Sequence, residues 1–234
     1  MRLFVAFEIP EPVRREVRRR MAGPRERLPR ARWVDPDVLH LTLLFLGEVA
    51  PERVAALAGR LGLAFAAHPA LPLRLAGGGT FPPGRPARVA WIGVTAPPEL
   101  EPLQAAVAQA AREALDVAAT PGGPSPRASA AAAAIDERPF RPHVTLARCP
   151  SPWPRGAVEK WAAAFSGEIG PPFLATRGVL VESRLSPRGP RYRNLAELPL
   201  AGGSGDETRA GDEARAGGET GAGGETRAGE EQSA

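Results

Sequence analysis

The sequence contains a single cysteine, Cys149, so neither an internal disulfide nor a cysteine-based metal cluster can form. Long apolar runs are missing as well. Stretches such as residues 41–46 fall far short of the roughly 20 residues that span a bilayer. Met1 leads directly into Arg2-Leu-Phe-Val-Ala-Phe7, without the basic leader, extended apolar core or small-residue cleavage site of a secretory signal. A soluble, cytoplasmic protein with no membrane contact is therefore expected. Lysine is almost absent: Lys160 is the only one among 30 basic residues. With so much Ala, Gly and Pro, this bias fits GC-rich coding as well as it fits a polyanionic partner.

Charge is distributed unevenly. Residues 201–234 carry eight acids and three arginines, a net of −5, which leaves +9 on residues 1–200. The tail is a drifting hexad that begins as Gly-Asp-Glu-Thr-Arg-Ala at Gly205 and restarts at Gly211, Gly217, Gly223 and Gly229. Such segments cannot bury enough apolar surface to offset chain entropy, so a disordered acidic tail over 201–234 is expected. The body, 1–200, is long enough for one domain built of two small lobes.

Within the body, strands and helices alternate. Leu3–Ile9, His40–Leu46, Leu71–Ala76, Arg88–Val94, His143–Arg148, Phe173–Glu182 and Tyr192–Pro199 read as strands, several of them bounded by Gly or Pro. Val13–Met21, Pro51–Ala66, Pro98–Val117 and Pro154–Phe165 read as amphipathic helices. Residues 118–135 are rich in Ala, Pro, Gly and Ser and predict a mobile surface insertion. Hairpin-like spacing of neighbouring strands favours an α+β fold with mainly antiparallel sheets.

Two of the three histidines share one local pattern: His40-Leu-Thr-Leu43 and His143-Val-Thr-Leu146. Chance would produce this in roughly half a percent of cases, so the repeat is treated as a motif. On a strand, residues i and i+2 share a face about 6–7 Å apart. His40 projects with Thr42 and His143 with Thr145, while Leu41, Leu43, Val144 and Leu146 anchor the other face. Two such strands facing one ligand would offer two imidazoles for proton transfer and two hydroxyls for oxygens. That set suits in-line displacement at phosphorus. A metal site is the rival use of the histidines, but no His-x-His pair or acid cluster lies beside either motif to complete a ligand set. No metal or cofactor is expected.

The duplicated motif resembles that of the 2H phosphoesterase superfamily. The text around it is similar to the bacterial and archaeal RNA 2′,3′-cyclic phosphodiesterase branch, historically called 2′–5′ RNA ligase. The similar stretches are Arg2–Phe7, Arg32-Trp-Val34, Leu39–Glu48, Arg138–Arg148 and the Ser183–Tyr192 turn, in family order over residues 1 to about 198. The resemblance implies a bilobal, pseudo-symmetric α+β fold of two sheets flanked by helices around a central cleft. It implies metal-independent opening of terminal 2′,3′-cyclic phosphates to 2′-phosphates, on RNA ends or cyclic nucleotides, by a monomer. His40 and His143 would be the catalytic pair, with Thr42, Thr145 and Arg148 binding phosphate. His143 is taken as base and His40 as acid, although the symmetry of the motif permits the reverse. Ligation through a 2′–5′ bond would be the reverse reaction. The long 118–135 segment and the hexad tail depart from the family pattern.

Three points stay open at this level. On a regular strand Arg148 would face away from His143, so a bulge or the strand's end must turn it. Phe7, Trp33 and Phe45 either stack on a base, Phe7 foremost, or belong to the core, the commoner place for such rings, and Phe45 shares parity with Leu41 and Leu43. Arg14, Arg15, Arg18, Arg19 and Arg20 form either an RNA-tracking run or a solvated helix face. A non-catalytic RNA-end binder and a phosphodiesterase for a different cyclic nucleotide are the competing functions.

Overall fold

The computed structural model describes residues 1–83, 86–116, 139–186 and 189–203. The strands are β1 (Arg2–Glu8), β2 (Arg32–Trp33), β3 (His40–Glu48), β4 (Leu71–Phe81), β5 (Ala87–Thr95), β6 (His143–Trp153), β7 (Glu168–Ala175), β8 (Arg177–Ser186) and β9 (Gly189–Pro199). Four α-helices lie among the described residues: α1 (Glu11–Arg27), α2 (Val54–Ala66), α3 (Leu100–Asp116) and α4 (Arg155–Ala164). The expected insertion at 118–135 lies outside the described residues, as does the tail from residue 204 onward. No helix among the described residues is long and apolar enough to cross a membrane.

The strands form one antiparallel sheet in the order β7-β4-β5-β6-β3-β1-β8-β9, with the short β2 added along β6. The two expected sheets are its halves, β3-β1-β8-β9 and β6-β5-β4-β7. They meet at a seam where β3 and β6 share one register pair, Leu41 opposite Val144. The halves mirror each other about this seam. In each, the strand that begins with a motif histidine is innermost, and its long antiparallel neighbour (β1 or β5) lies next outward.

One face of the sheet carries the core. Val13, Val17 and Met21, at helical spacing, are the buried stripe of α1, and Leu57, Leu61 and Phe65 are that of α2. They meet Leu3, Val5 and Phe7 of β1, Leu71, Leu73 and Leu75 of β4, and Ile92 of β5. Trp161 and Phe165, from α4 and the residue after it, complete this layer. On the opposite face Phe4, Ala6, Val179 and Val181 form a small separate cluster with Tyr192 at its edge. That face holds the motif residues.

The strands β4 and β6 each run five residues past their expected ends, Ala76 and Arg148, and one expected strand divides. Phe173–Glu182 is not one strand: the chain leaves β7 at Ala175 and starts β8 at Arg177, because Thr176 uses its carbonyl to accept from Leu200 N at 2.9 Å. The arginine run of α1 is largely ion-paired. Arg14 bonds Glu11, Arg18 bonds Asp37 at 2.6 Å, and Arg19 and Arg20 share Glu16, whose carboxyl these hydrogen bonds hold below its usual range.

The packing of α2 on β8 depends on Gly178. A Cβ there would lie 2.3 Å from the Phe65 ring. Gly178→Ala should therefore destabilise the fold by about 1–3 kcal/mol in urea titration. The same substitution in a Phe65→Ala background should have little further effect. Equal costs in both backgrounds would contradict this packing. Cys149, 6% exposed on β6, has its thiol pushed up to about 11 by burial. Iodoacetamide at pH 8 should label it only when the protein unfolds. Labelling of the native protein at a free-thiol rate would mean that β6 does not hold its place.

Candidate active site

Each motif is introduced by a turn that fixes its histidine. Before β3, Asp35 accepts from Asp37 N at 3.1 Å and caps the 3-10 turn Pro36–Val38. This turn presents the Val38 carbonyl to His40 Nδ1 at 2.9 Å. Before β6, the Arg141 carbonyl meets His143 Nδ1 at 2.6 Å. Even the flanking backbone bonds match: Ile9 N donates to Leu39 O and Val94 N to Pro142 O, both at 3.2 Å. A carbonyl can only accept, so Nδ1 carries its hydrogen in both rings and Nε2 is the acceptor nitrogen of the neutral imidazole.

The seam aligns the two motifs. Continuing the Leu41–Val144 register sets His40 across from Thr145 and Thr42 across from His143. The burial pattern agrees with this placement. Leu41 and Val144 are fully buried, whereas the two histidines and two threonines are half-buried on the other face. Four polar groups thus share one patch spanning both halves.

Both motif strands then bulge at the same place. In β3 the partners of Val5 and Ala6 are Leu44 and Thr42, so Leu43 is extra. In β6 the partners of Ala90 and Trp91 are Ala147 and Thr145, so Leu146 is extra. Each bulge buries two consecutive residues and reverses the alternation beyond it. Arg148 is thereby turned to the histidine face, which supplies the bulge its parity required. Phe45, expected in the core by strict alternation, is 42% exposed for the same reason. Phe45 and Arg148 occupy equivalent positions, each five residues after its histidine.

Phe7 is a correction. It is 1% exposed and meets Phe65 edge-on at 6.0 Å within the core, so no base can reach it. Odd positions of β1 face the helices and even positions face the cleft. Trp33 also lies away from the histidines, beside Trp153 and Trp161 and under the Arg25 guanidinium. The rings that do contact the histidines escaped sequence reasoning. Phe4 lies 4.8 Å and Tyr192 5.2 Å from His40, while Phe81 lies 5.0 Å and Trp91 5.9 Å from His143. Only the even parity of Phe4 within β1 could have signalled it, and an unbroken apolar run hides that parity.

The halves differ in how the space beside the histidine is filled. Next to His40, a cavity of about 400 Å³ opens over Phe4, Val179, Val181 and Tyr192, with Glu8 and Asn194 on its wall. At the floor position facing Thr42 stands Ala6. The equivalent position facing Thr145 is Trp91, whose indole lies against Gly79, where a Cβ would come within 2.1 Å of the ring. Burial in this setting pushes the His40 ring pKa down. The charges of Arg148 and His143 act in the same direction, whereas the Val38 hydrogen bond and Glu8 oppose it. Among the described residues, no three His, Cys, Asp or Glu side chains converge on a point that would hold a metal ion.

Comparison with known proteins agrees with this geometry. The sequence model of the 2′-5′ RNA ligase superfamily matches residues 9–182. The chain is 34% identical over 215 residues to the RNA 2′,3′-cyclic phosphodiesterase of Thermus thermophilus, covering 88% of this chain and 94% of that one. The protein of the same name from Archaeoglobus fulgidus is 30% identical over 202 residues, 83% of this chain and 98% of its own. A relative from Geobacillus stearothermophilus is longer, and the chain spans 57% of it at 27% identity over 85% of its own length. The crystal structure of TT0787 of Thermus thermophilus superposes with a TM-score of 0.67 at 28% identity, covering 86% and 98% of the two chains. Apo LigT of Escherichia coli superposes with a TM-score of 0.58 at 26% identity over 86% and 97%. The length of the family match and the identity to the Thermus and Archaeoglobus relatives establish that the chain belongs to the 2′-5′ RNA ligase superfamily.

Proposed function

We propose that this chain is a metal-independent hydrolase of terminal 2′,3′-cyclic phosphates on RNA or nucleotides, yielding a 2′-phosphate. The observation that carries the reading is the His40–Thr145 and Thr42–His143 quartet at the seam, with each imidazole held through Nδ1 so that Nε2 is its working atom. The names of the relatives support the substrate class.

The cleft's asymmetry favours one division of labour. A cyclic phosphate hangs from a nucleoside, which needs room, whereas its attacker is a water. Room exists beside His40, while Trp91 and Phe81 pack around His143. The water then enters beside His143, whose Nε2 accepts its proton as the oxygen bonds phosphorus. The P–O3′ bond breaks on the opposite side and O3′ takes a proton from His40 Nε2. The phosphate stays on O2′. Thr42 and Thr145 hydroxyls and the Arg148 guanidinium hold the nonbridging oxygens as charge builds on them. In the free protein, burial disfavours the charged form of His40. The substrate's negative charge draws a proton onto the ring, so that His40 is charged as an acid when the phosphate is present. If a 5′-hydroxyl replaces the water, the same steps join two ends through a 2′–5′ bond, so ligation follows the forward course of ring opening and is not its reverse.

The test is incubation with 2′,3′-cyclic AMP and with a cyclic-phosphate-ended oligomer, in strong chelator, followed by chromatographic identification of the phosphate position. A 2′-phosphate is expected from both substrates. His40→Ala and His143→Ala should each lower kcat by at least about 10²-fold with circular dichroism unchanged. The pH profile should be bell-shaped, with the acidic limb set by the base and the basic limb by the acid. A 3′-phosphate product would reverse the regiochemistry, and loss of turnover on chelation would remove the two-histidine mechanism. Tight binding of the oligomer without any product would instead make the chain an RNA-end-binding module.

A further inference from the structure

The register of β1 against β3 places Glu8 directly across from His40. Facing residues of an antiparallel pair have Cβ atoms about 4.5–5.5 Å apart on one face, so the carboxylate and the imidazole are neighbours. Glu8 is exposed, but it is not loose: Asn194 Nδ2 of β9 donates to its Oε1 at 3.1 Å. An amide holds this oxygen without neutralising it. The contrast with Asp37, which lines the same cavity, is clear, because Asp37 is spent on Arg18 at 2.6 Å. Among the described residues, no arginine is ion-paired with Glu8.

Every other charge facing His40 works against a proton on its ring or is already engaged. Arg148 and His143 face it from β6 and disfavour the charged form. Tyr192 of β9 presents a phenol edge whose ionisation burial pushes up, so it adds no negative charge. Arg14 of α1 is held by Glu11 and by the Asp37 carbonyl. The equivalent position on β5 is Gly93, where a Cβ would meet the Ala76 carbonyl oxygen at 2.6 Å, so β5 admits no side chain there. The carboxylate at this register position is a feature of the first half alone.

We infer that Glu8, steadied by Asn194, is a positioning residue that keeps His40 able to carry the proton it delivers to the leaving oxygen. The role rests on the proposed hydrolysis and adds to it. In this role Glu8 acts through the imidazole and takes no part in the bond changes at phosphorus. Its negative charge offsets the burial of the ring and the repulsion from Arg148, so the protonated form survives to a higher pH than the cleft alone would allow. No bond to Glu8 forms or breaks.

Glu8→Gln preserves shape and hydrogen bonding but removes the charge, and it gives two readouts. The first is His40 itself, titrated by NMR through its ring proton in the free protein, which requires no turnover. Its midpoint should fall in the variant. The second is the pH profile of kcat on a cyclic-phosphate-ended oligomer. The basic limb, set by the acid, should move to lower pH. On that limb, a midpoint lower by one pH value should reduce kcat about tenfold, with KM little changed. Glu8→Asp, which keeps the charge on a shorter stem, should recover part of both. An unchanged His40 midpoint in Glu8→Gln, or a uniform loss of kcat at all pH values, would overturn the inference. If the wild-type protein turned over neither substrate, hydrolysis itself would be refuted, while the NMR titration would still decide whether Glu8 sustains the protonated His40.

Discussion

One buried pair, Leu41 opposite Val144, sets everything that happens in the cleft. Among the described residues it is the only register pair between β3 and β6, and both side chains are fully buried. Because side chains alternate with a period of two, a slip of one residue on either strand would send that strand's imidazole and hydroxyl into the core and its leucines into water. Burying two apolar side chains at the seam is worth about 1.5–3 kcal/mol each, and reversing a motif strand would add the cost of burying polar groups without partners. The register is thus fixed by hydrophobic packing on one face, and the polar quartet on the other face is a consequence of it.

From that seam outward the backbone repeats and the side chains do not. Equivalent register positions hold Ala6 and Trp91, Glu8 and Gly93, Phe45 and Arg148. The first exchange opens a cavity beside one histidine and fills the space beside the other. The second puts a carboxylate across from His40 and only backbone across from His143. The third gives one half an aromatic face and the other a guanidinium. A symmetric pair of imidazoles is chemically ambiguous, since either can act as acid or base. On the proposed reading, these three exchanges remove the ambiguity while the shared backbone keeps both Nε2 atoms directed at one reaction centre.

How much of this was legible beforehand depends on whether the signal was local. The His-x-Thr repeats, the α+β alternation and the starts of most elements could be read because they rest on spacing within a few residues, whereas the ends of α1, β4 and β6 lie five or six residues beyond those expected. The bulges could not. At Leu43-Leu44 and Leu146-Ala147 the extra residue is apolar and flanked by apolar residues, so nothing in the text separates a bulge from regular strand. That hid the cleft-facing position of Phe45 and left Arg148 with the wrong parity. Phe7 was misplaced for a related reason: residues 3–7 are all apolar and buried, because the two faces of β1 pack against two different clusters. The break between β7 and β8 was missed because it depends on a long-range bond between Thr176 and Leu200.

The basic balance of the body, suggestive at first, carries less weight than the placement of single charges. Arginines on α1 face acids on their own helix or at Asp37, and exposed pairs of this kind contribute little to stability and screen one another's field. On the proposed reading Arg148 is the guanidinium that meets the phosphate, and its position depends on one extra residue in β6. Straightening β6 at Leu146 would leave the net charge untouched and point that guanidinium to the helix side of the sheet. Recognition of a phosphate here would follow from where the backbone kinks, with the count of arginines nearly irrelevant to it.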